Sequence, residues 1–280
     1  MSSDEAARPV DDGIPGTVRS LPFDTSKAHQ ARVYDYVLGG KDNYAADRAA
    51  TEAWLKIDPG MAHSARANRA FLGRAVGYLA ADAGLRQFLD IGTGIPTAGN
   101  THQVAQAIAP ESRVVYVDYD PIVLAHARAL LTSSDAGATA YIEADLRDTG
   151  TILSEAAELL DFTKPVAVTL LSILHAIPDA DDPHAIVARV MAAVPPGSYL
   201  ALSHVGSELL DQRKQDEVRG VADRMVQQTP SYRSQEQIAR FFAGCDLVDP
   251  GIVRVEEWRP EPGTGETEAS SMWCAVGRKR

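Results

Sequence analysis

The hydrophobic pattern divides the chain into three stretches. Residues 1–20 are polar, carry proline and glycine, and show no hydrophobic period, which predicts a disordered or loosely ordered tail. Over 21–84 the period is helical. Val33, Tyr36 and Val37 share a face ahead of a Gly39-Gly40 break, and Asn43–Asp47 opens a second helix. Asp58-Pro59 predicts an N-cap with proline at the first helical position. The helix beyond it places Ala67, Phe71, Ala75 and Leu79 at i, i+4 spacing. Arg66, Arg69 and Arg74 fall elsewhere on that helix and read as a solvated face.

From Gln87 the pattern changes to short apolar runs alternating with helical segments. Strands are expected at Gln87–Ile91, Arg113–Val117, Ala140–Glu143, Val166–Ser172 and Ser198–Ser203. Their β-branched, near-continuous apolar character is that of parallel strands covered on both faces. A polar helix over about 208–228 follows. Ser234 with Gln237 then forms a capping box. Two strands, Leu247–Arg259 and Ser271–Val276, close the chain across a polar loop over 260–269. With no helix between them they must pair antiparallel. The expectation is an α/β fold: a ligand-binding domain over 85–280, preceded by a helical lid or appendage over 21–84.

Composition narrows the function. The 280 residues carry 38 acidic against 27 Lys and Arg side chains, a net charge of −11. That balance argues against broad nucleic-acid binding, which needs clustered Lys and Arg, and leaves a small molecule as the default partner. Two cysteines, Cys245 and Cys274, form no disulfide framework and match no metal-ligand spacing. A reducing cytoplasmic setting fits them, and no metal is expected. The sequence offers neither a secretory leader nor a run long enough to span a membrane.

The chemistry centres on Phe88-Leu89-Asp90-Ile91-Gly92-Thr93-Gly94-Ile95-Pro96-Thr97. This reads as a buried strand entering a glycine turn, where a missing Cβ lets the chain bend and a ligand approach the backbone. Such a unit cradles nucleotides and nucleosides in doubly wound folds. Three further groups reach the same carboxyl edge of the sheet. Asp118 ends the second strand, where a carboxylate accepts from ribose hydroxyls. Asp145 ends the third, within reach of an adenine amine. Ser172 to His175 leaves the fourth. Each also has a plain structural role open to it: strand end, turn residue or loop histidine. Their occurrence in order on successive strand ends is what carries weight.

The order Asp-x-Gly-x-Gly, a strand-two acid, Ala-Asp after strand three and a terminal antiparallel pair resembles the class I S-adenosylmethionine-dependent methyltransferases over residues 85–280. A closer resemblance runs through nearly the whole chain after residue 25. ARVYDYVLGGKDNYAADR, FLDIGTGIPTAGNTH and RVVYVDYDPIVLAHARALL resemble a bacterial family of S-adenosyl methyltransferases whose substrates are generally unassigned. The resemblance implies a Rossmann-like sheet of seven strands in the order 3-2-1-4-5-7-6, with strand seven reversed. It implies S-adenosyl-L-methionine as cofactor. Gly92, Thr93 and Gly94 would lie along its methionine and ribose part, and Asp90 would orient the loop or the amino group. Asp118 would take the ribose hydroxyls, Asp145 and Leu146 the adenine, with Ser172 beside them.

Pro96 stands where a third glycine is usual, so Thr97 and Asn100 are candidate replacements for contacts there. Tyr34, Tyr36, Asn43 and Tyr44 are candidate lid or acceptor-side residues. His175, by position and ordinary titration range, is the candidate general base. Two alternatives stand beside methyl transfer. An NAD-dependent oxidoreductase would use the same cradle, but Gly-x-Gly-x-x-Gly fails at Thr97. A nonenzymatic cofactor-binding sensor would need only the pocket.

Overall fold

The computed structural model describes residues 24–130, 133–261 and 268–280. The tail expected over 1–20 and residues 262–267 of the loop expected over 260–269 lie outside them. Helices α1 (Gln30–Val37), α2 (Ala45–Ile57) and α3 (Met61–Ala81) come first. Next come β1 (Gln87–Ile91), α4 (Thr101–Ile108), β2 (Arg113–Asp118), α5 (Pro121–Leu130) and β3 (Ala138–Glu143). Then follow α6 (Thr149–Ala156), β4 (Ala167–Leu171), α7 (Pro183–Ala193) and β5 (Tyr199–Val205). The chain ends with α8 (Gln212–Met225), α9 (Gln235–Ala239), β6 (Cys245–Leu247), β7 (Val253–Arg254) and β8 (Met272–Lys279).

The sheet runs β3-β2-β1-β4-β5-β8-β6, with β7 also on β8. The first five strands are parallel, and β8 is antiparallel to β5. This is the Rossmann-like order the resemblance implies, with its sixth strand divided. The single strand expected over 247–259 is two short pieces lying along one edge of β8. Leu247 pairs with Gly277 and Val253 with Cys274, so residues 248–252 bulge out between them. Pro250 has no N–H to give a ladder, and Gly251 sits at φ +86°, so an extended strand cannot run through.

Side chains alternate across the sheet. Leu89, Val115, Val117 and Val168 face a core closed by α6 and α7, whereas Phe88, Val114, Tyr116 and Ala167 face the other way. That second face is covered by Phe71, Ala75 and Leu79 of α3. The expected apolar stripe is the face by which α3 packs on the sheet. A third cluster joins Val33, Val37 and Trp54 of α1 and α2 to Val218 and Val221 of α8.

Two local expectations change. Asp58 closes α2, its N–H donating to Trp54 O at 2.8 Å, and does not cap the next helix. Asp58 stands before Pro59 and is extended, which ends α2, and α3 starts at Met61 with Gly60 at its N-cap. The arginines of α3 are not simply a solvated face. Arg74 donates to the carbonyls of Trp258 and Val255, and Arg69 to those of Ala98 and Gly99. No helix among the described residues is long and apolar enough to cross a membrane.

Candidate active site

The sheet order places the ends of β1, β2, β3 and β4 along one carboxyl edge, and a cavity of about 940 Å³, counting space open to solvent, lies there. Gly92, Thr93 and Gly94 form its floor. Gly92 (φ +77°) and Gly94 (φ +64°) adopt left-handed backbone, which glycine takes without strain. A Cβ on Gly92 would strike Ile173, while one on Gly94 would meet no atom within 4 Å. The turn is tied to β2: Gly92 N–H donates to Val117 O at 2.8 Å, and Gly94 N–H to Oδ2 of Asp118 at 2.9 Å.

Asp118 is 7% exposed, and its Oδ1 accepts from the Asp120 N–H at 3.0 Å. Burial raises its carboxyl above the ordinary range, against the lowering pull of the two amides. Each oxygen thus carries one amide bond and keeps a lone pair for a second donor. Asp90, 6% exposed, also borders the cavity. Its carboxylate accepts from Thr101 Oγ1 at 2.6 Å and Thr169 Oγ1 at 2.7 Å, and burial raises its carboxyl too. The side chain therefore ties the start of α4 and strand β4 to β1.

Asp145 and Leu146 line the opposite wall. The Arg147 guanidinium holds the Asp145 carboxyl below its usual range, with Nε donating to Oδ1 at 2.8 Å. Ser172 closes the cavity in left-handed backbone at φ +55°, a strained state for serine of the kind that clusters at functional sites.

A second cavity, about 950 Å³ with open space included, adjoins the first. Gln30, Tyr34, Ser172, Ala176 and Gln228 border both. His175 lines this second cavity and not the glycine-turn cavity. Its Nε2 meets the Gln30 side-chain amide, and its Nδ1 is buried without a hydrogen-bond partner. Burial, with Arg233 nearby, lowers its pKa to about 4. The ring is neutral near pH 7 and a weak base, so the ordinary titration range expected of it does not apply.

Helix α1 is latched to the end of β2. The His29 imidazole spans from Asp120 Oδ2, 3.0 Å from Nδ1, to Tyr119 Oη, 2.6 Å from Nε2. Burial raises the Asp120 carboxyl, but the bond to His29 and the charge of Arg32 outweigh it and leave it below the usual value. Burial and the carboxylates of Asp118 and Asp120 push the Tyr119 hydroxyl up to about 12. Arg32, 2% exposed, lies 3.6 Å from Asp47 and 3.7 Å from Asp120.

Of the candidates on the N-terminal side, Tyr34 borders both cavities, with its hydroxyl donating to Ala65 O at 3.0 Å. Five others border neither. Tyr36 donates to Glu52 at the surface, and Tyr44 opens α2 under the Arg32 guanidinium. Asn43 braces the Gly39-Gly40 turn by donating to Asp35 and Gly40 O. Asn100 caps α4 and accepts from Thr97 N–H at 3.1 Å, so both residues shape the loop from behind. The sequence reading missed His29, Gln30, Tyr119 and Gln228. The first two sit in the AHQAR stretch, where adjacent polar side chains at a helix start were the available signal. Among the described residues, no cluster of His, Cys, Asp or Glu is placed to hold a metal ion.

A family model described as S-adenosyl methyltransferase matches residues 17–280. A DUF574 family protein from Streptomyces avermitilis is 45% identical, with a TM-score of 0.87, over 92% of this chain and 99% of its own. A candidate methyltransferase from Thermobifida fusca is 39% identical, with a TM-score of 0.83, over 92% of this chain and 97% of its own. No curated protein matches the chain. A cavity floored by glycine backbone and faced by a buried carboxylate fits an adenosyl cofactor. The chain belongs to the S-adenosyl methyltransferase family, and its cofactor is S-adenosyl-L-methionine.

Proposed function

We propose that the protein transfers the methyl group of S-adenosyl-L-methionine to a small-molecule acceptor, in a cleft closed by its N-terminal helices. The observation that carries this reading is the adjoining of the two cavities through Gln30, Tyr34, Ser172, Ala176 and Gln228. One compartment has the features of a nucleoside site, and the other is open to a second molecule beside it.

Each residue role follows from the bonds already made. The Asp118 oxygens, with one amide bond apiece, suit a pair of ribose hydroxyls. Asp145, with Oδ1 spent on the Arg147 N–H and Nε and Oδ2 on Nη2, has one position left for an adenine amine beside Leu146. Gly92, Thr93 and Gly94 let the methionine part lie on the backbone, and Asp90 orients that loop through Thr101. When bound, the cofactor supplies an electrophilic sulfonium methyl. The protein's main task is then to hold the acceptor in line, which is worth about 7–11 kcal/mol of barrier.

With a pKa near 4, His175 is better suited to orienting an acceptor than to removing a proton. The AHQARVYDYVLGGKDNYAADR stretch, residues 28–48, serves as the lid: His29, Gln30 and Tyr34 face the cleft, and Asp35, Asn43 and Asp47 brace its turn. Incubating the protein with S-adenosyl-L-methionine and a cell extract filtered free of macromolecules tests this reading. S-adenosylhomocysteine should accumulate. Accumulation only with the retained macromolecules would overturn the small-molecule acceptor.

A further inference from the structure

Resting on the methyl-transfer reading, we propose that the second cavity is the acceptor site and takes an uncharged, ring-bearing, mainly apolar small molecule. Its walls come from the helices that cover the carboxyl edge. Val33 of α1, Trp54 of α2, Met61 of α3 and Val218 of α8 surround it, with Tyr232 and Met272 beside them.

Charge decides the class. No Lys or Arg lines this cavity among the described residues, and its one carboxylate, Asp58, has Lys214 Nζ at 3.5 Å. An anion would find no counter-charge there, and a cation would have to displace one already present. Burying an ion without a partner is costly, so a neutral molecule is favoured.

The wall chemistry decides the shape. Trp54 has spent its indole N–H on Val218 O at 3.0 Å, and Tyr34 its hydroxyl on Ala65 O. Burial pushes the Tyr232 hydroxyl up to about 12, so it stays uncharged. These residues therefore offer ring faces, and Met61 and Met272 offer polarizable sulfur, a lining that suits flat rings. Away from Asp58 the polar side chains form two groups: Ser64 and Ser271, whose hydroxyls are spent on each other at 3.2 Å, and Gln30, Ser172, His175 and Gln228 at the boundary with the cofactor cavity. An acceptor with a single nucleophilic group would point it there, toward the cofactor.

The test is calorimetric titration of 1-naphthol, 1-naphthoate and 1-naphthylmethylammonium into protein saturated with S-adenosylhomocysteine. The wild type is compared with Leu210→Arg, which places a cation on a wall of the second cavity alone. The neutral probe should bind together with S-adenosylhomocysteine, at least about tenfold tighter than either ion. The variant should lose about tenfold for 1-naphthol while its S-adenosylhomocysteine affinity stays within about twofold, which also shows that it folds. Competition between 1-naphthol and S-adenosylhomocysteine, equal binding of the charged probes, no binding of 1-naphthol, or an unaffected variant would each overturn the inference. Failure of S-adenosylhomocysteine to bind the wild type would instead overturn the methyl-transfer reading.

Discussion

Oδ2 of Asp118 accepts the main-chain N–H of Gly94 at 2.9 Å, across 24 residues of sequence. The bond makes the glycine turn and the strand-two acid one unit. It leaves each carboxylate oxygen room for one more donor. If those positions take the ribose hydroxyls, S-adenosylhomocysteine lacking its 2′-hydroxyl should bind the wild type about tenfold more weakly, the worth of one charge-assisted hydrogen bond. In Asp118→Ala the same deletion should cost little. Calorimetry on both proteins with both ligands closes the cycle, and an equal loss in each would place the hydroxyl elsewhere.

The two glycines of the turn should respond differently to alanine. Both hold positive φ, so each substitution carries a strain cost of about 1–3 kcal/mol. At Gly92 the new methyl also clashes with the Ile173 side chain, whereas at Gly94 it meets nothing within 4 Å. Gly92→Ala should therefore lower the melting temperature more than Gly94→Ala. Gly94→Ala should instead weaken cofactor binding, because its methyl enters open cavity space. Melting curves in the reverse order would contradict this description of the turn.

The packing of the N-terminal helices rests partly on a buried charge. Asp47 is fully buried, accepts the N–H groups of His29 and Tyr44, and lies 3.6 Å from the guanidinium of Arg32. Asp47→Ala leaves Arg32 without that partner in an enclosed site, a loss of about 3–5 kcal/mol. Urea unfolding should record it, and hydrogen exchange should show protection lost first in α1 and α2. Unchanged exchange there would mean the helices are held by their apolar cluster alone.

Acid should weaken the fold through its histidines. Burial depresses His175 from 6.5 to about 4, and His204 lies well below its ordinary value for the same reason. The unfolded chain binds protons at these rings below pH 6.5 while the folded chain does not. Their contribution is therefore full above pH 6.5 and is lost as pH falls toward 4. For His175 the loss reaches about 3 kcal/mol. His175→Gln should flatten that part of the profile in unfolding measurements from pH 7.5 to 4.5, and a parallel profile would remove the assignment.

Tyr36 provides a control. Its hydroxyl donates to Glu52 at 3.2 Å on the surface, away from both cavities. Tyr36→Phe should leave cofactor affinity within about twofold, since such an exposed bond contributes little. A tenfold loss would place Tyr36 at the site after all.

The parallel strands and the residues at their ends were legible because alternation and turn chemistry are local signals. Asp90, Gly92, Thr93, Gly94, Asp118, Asp145, Leu146 and Ser172 all border one cavity, as their order along the sheet edge implies. What was not legible depends on distant partners. Nothing near Asp90 in sequence reveals that Thr101 and Thr169 occupy its carboxylate. The depression of His175 comes from burial supplied by other elements. Thr97 and Asn100 sit three to eight residues beyond the glycines, yet Asn100 turns its side chain back to accept the Thr97 N–H, away from the cavity. Arg69 and Arg74 look solvated by period, but the carbonyls they hold lie far along the chain.

The proposed hold on S-adenosyl-L-methionine is by the glycine turn and Asp118. Its most direct test is calorimetric titration of that cofactor into the wild type and Asp118→Ala, each verified as folded by its melting curve. The wild type should show one site per chain, and the variant an affinity about ten- to a hundredfold weaker. Equal affinity in the two proteins would contradict it.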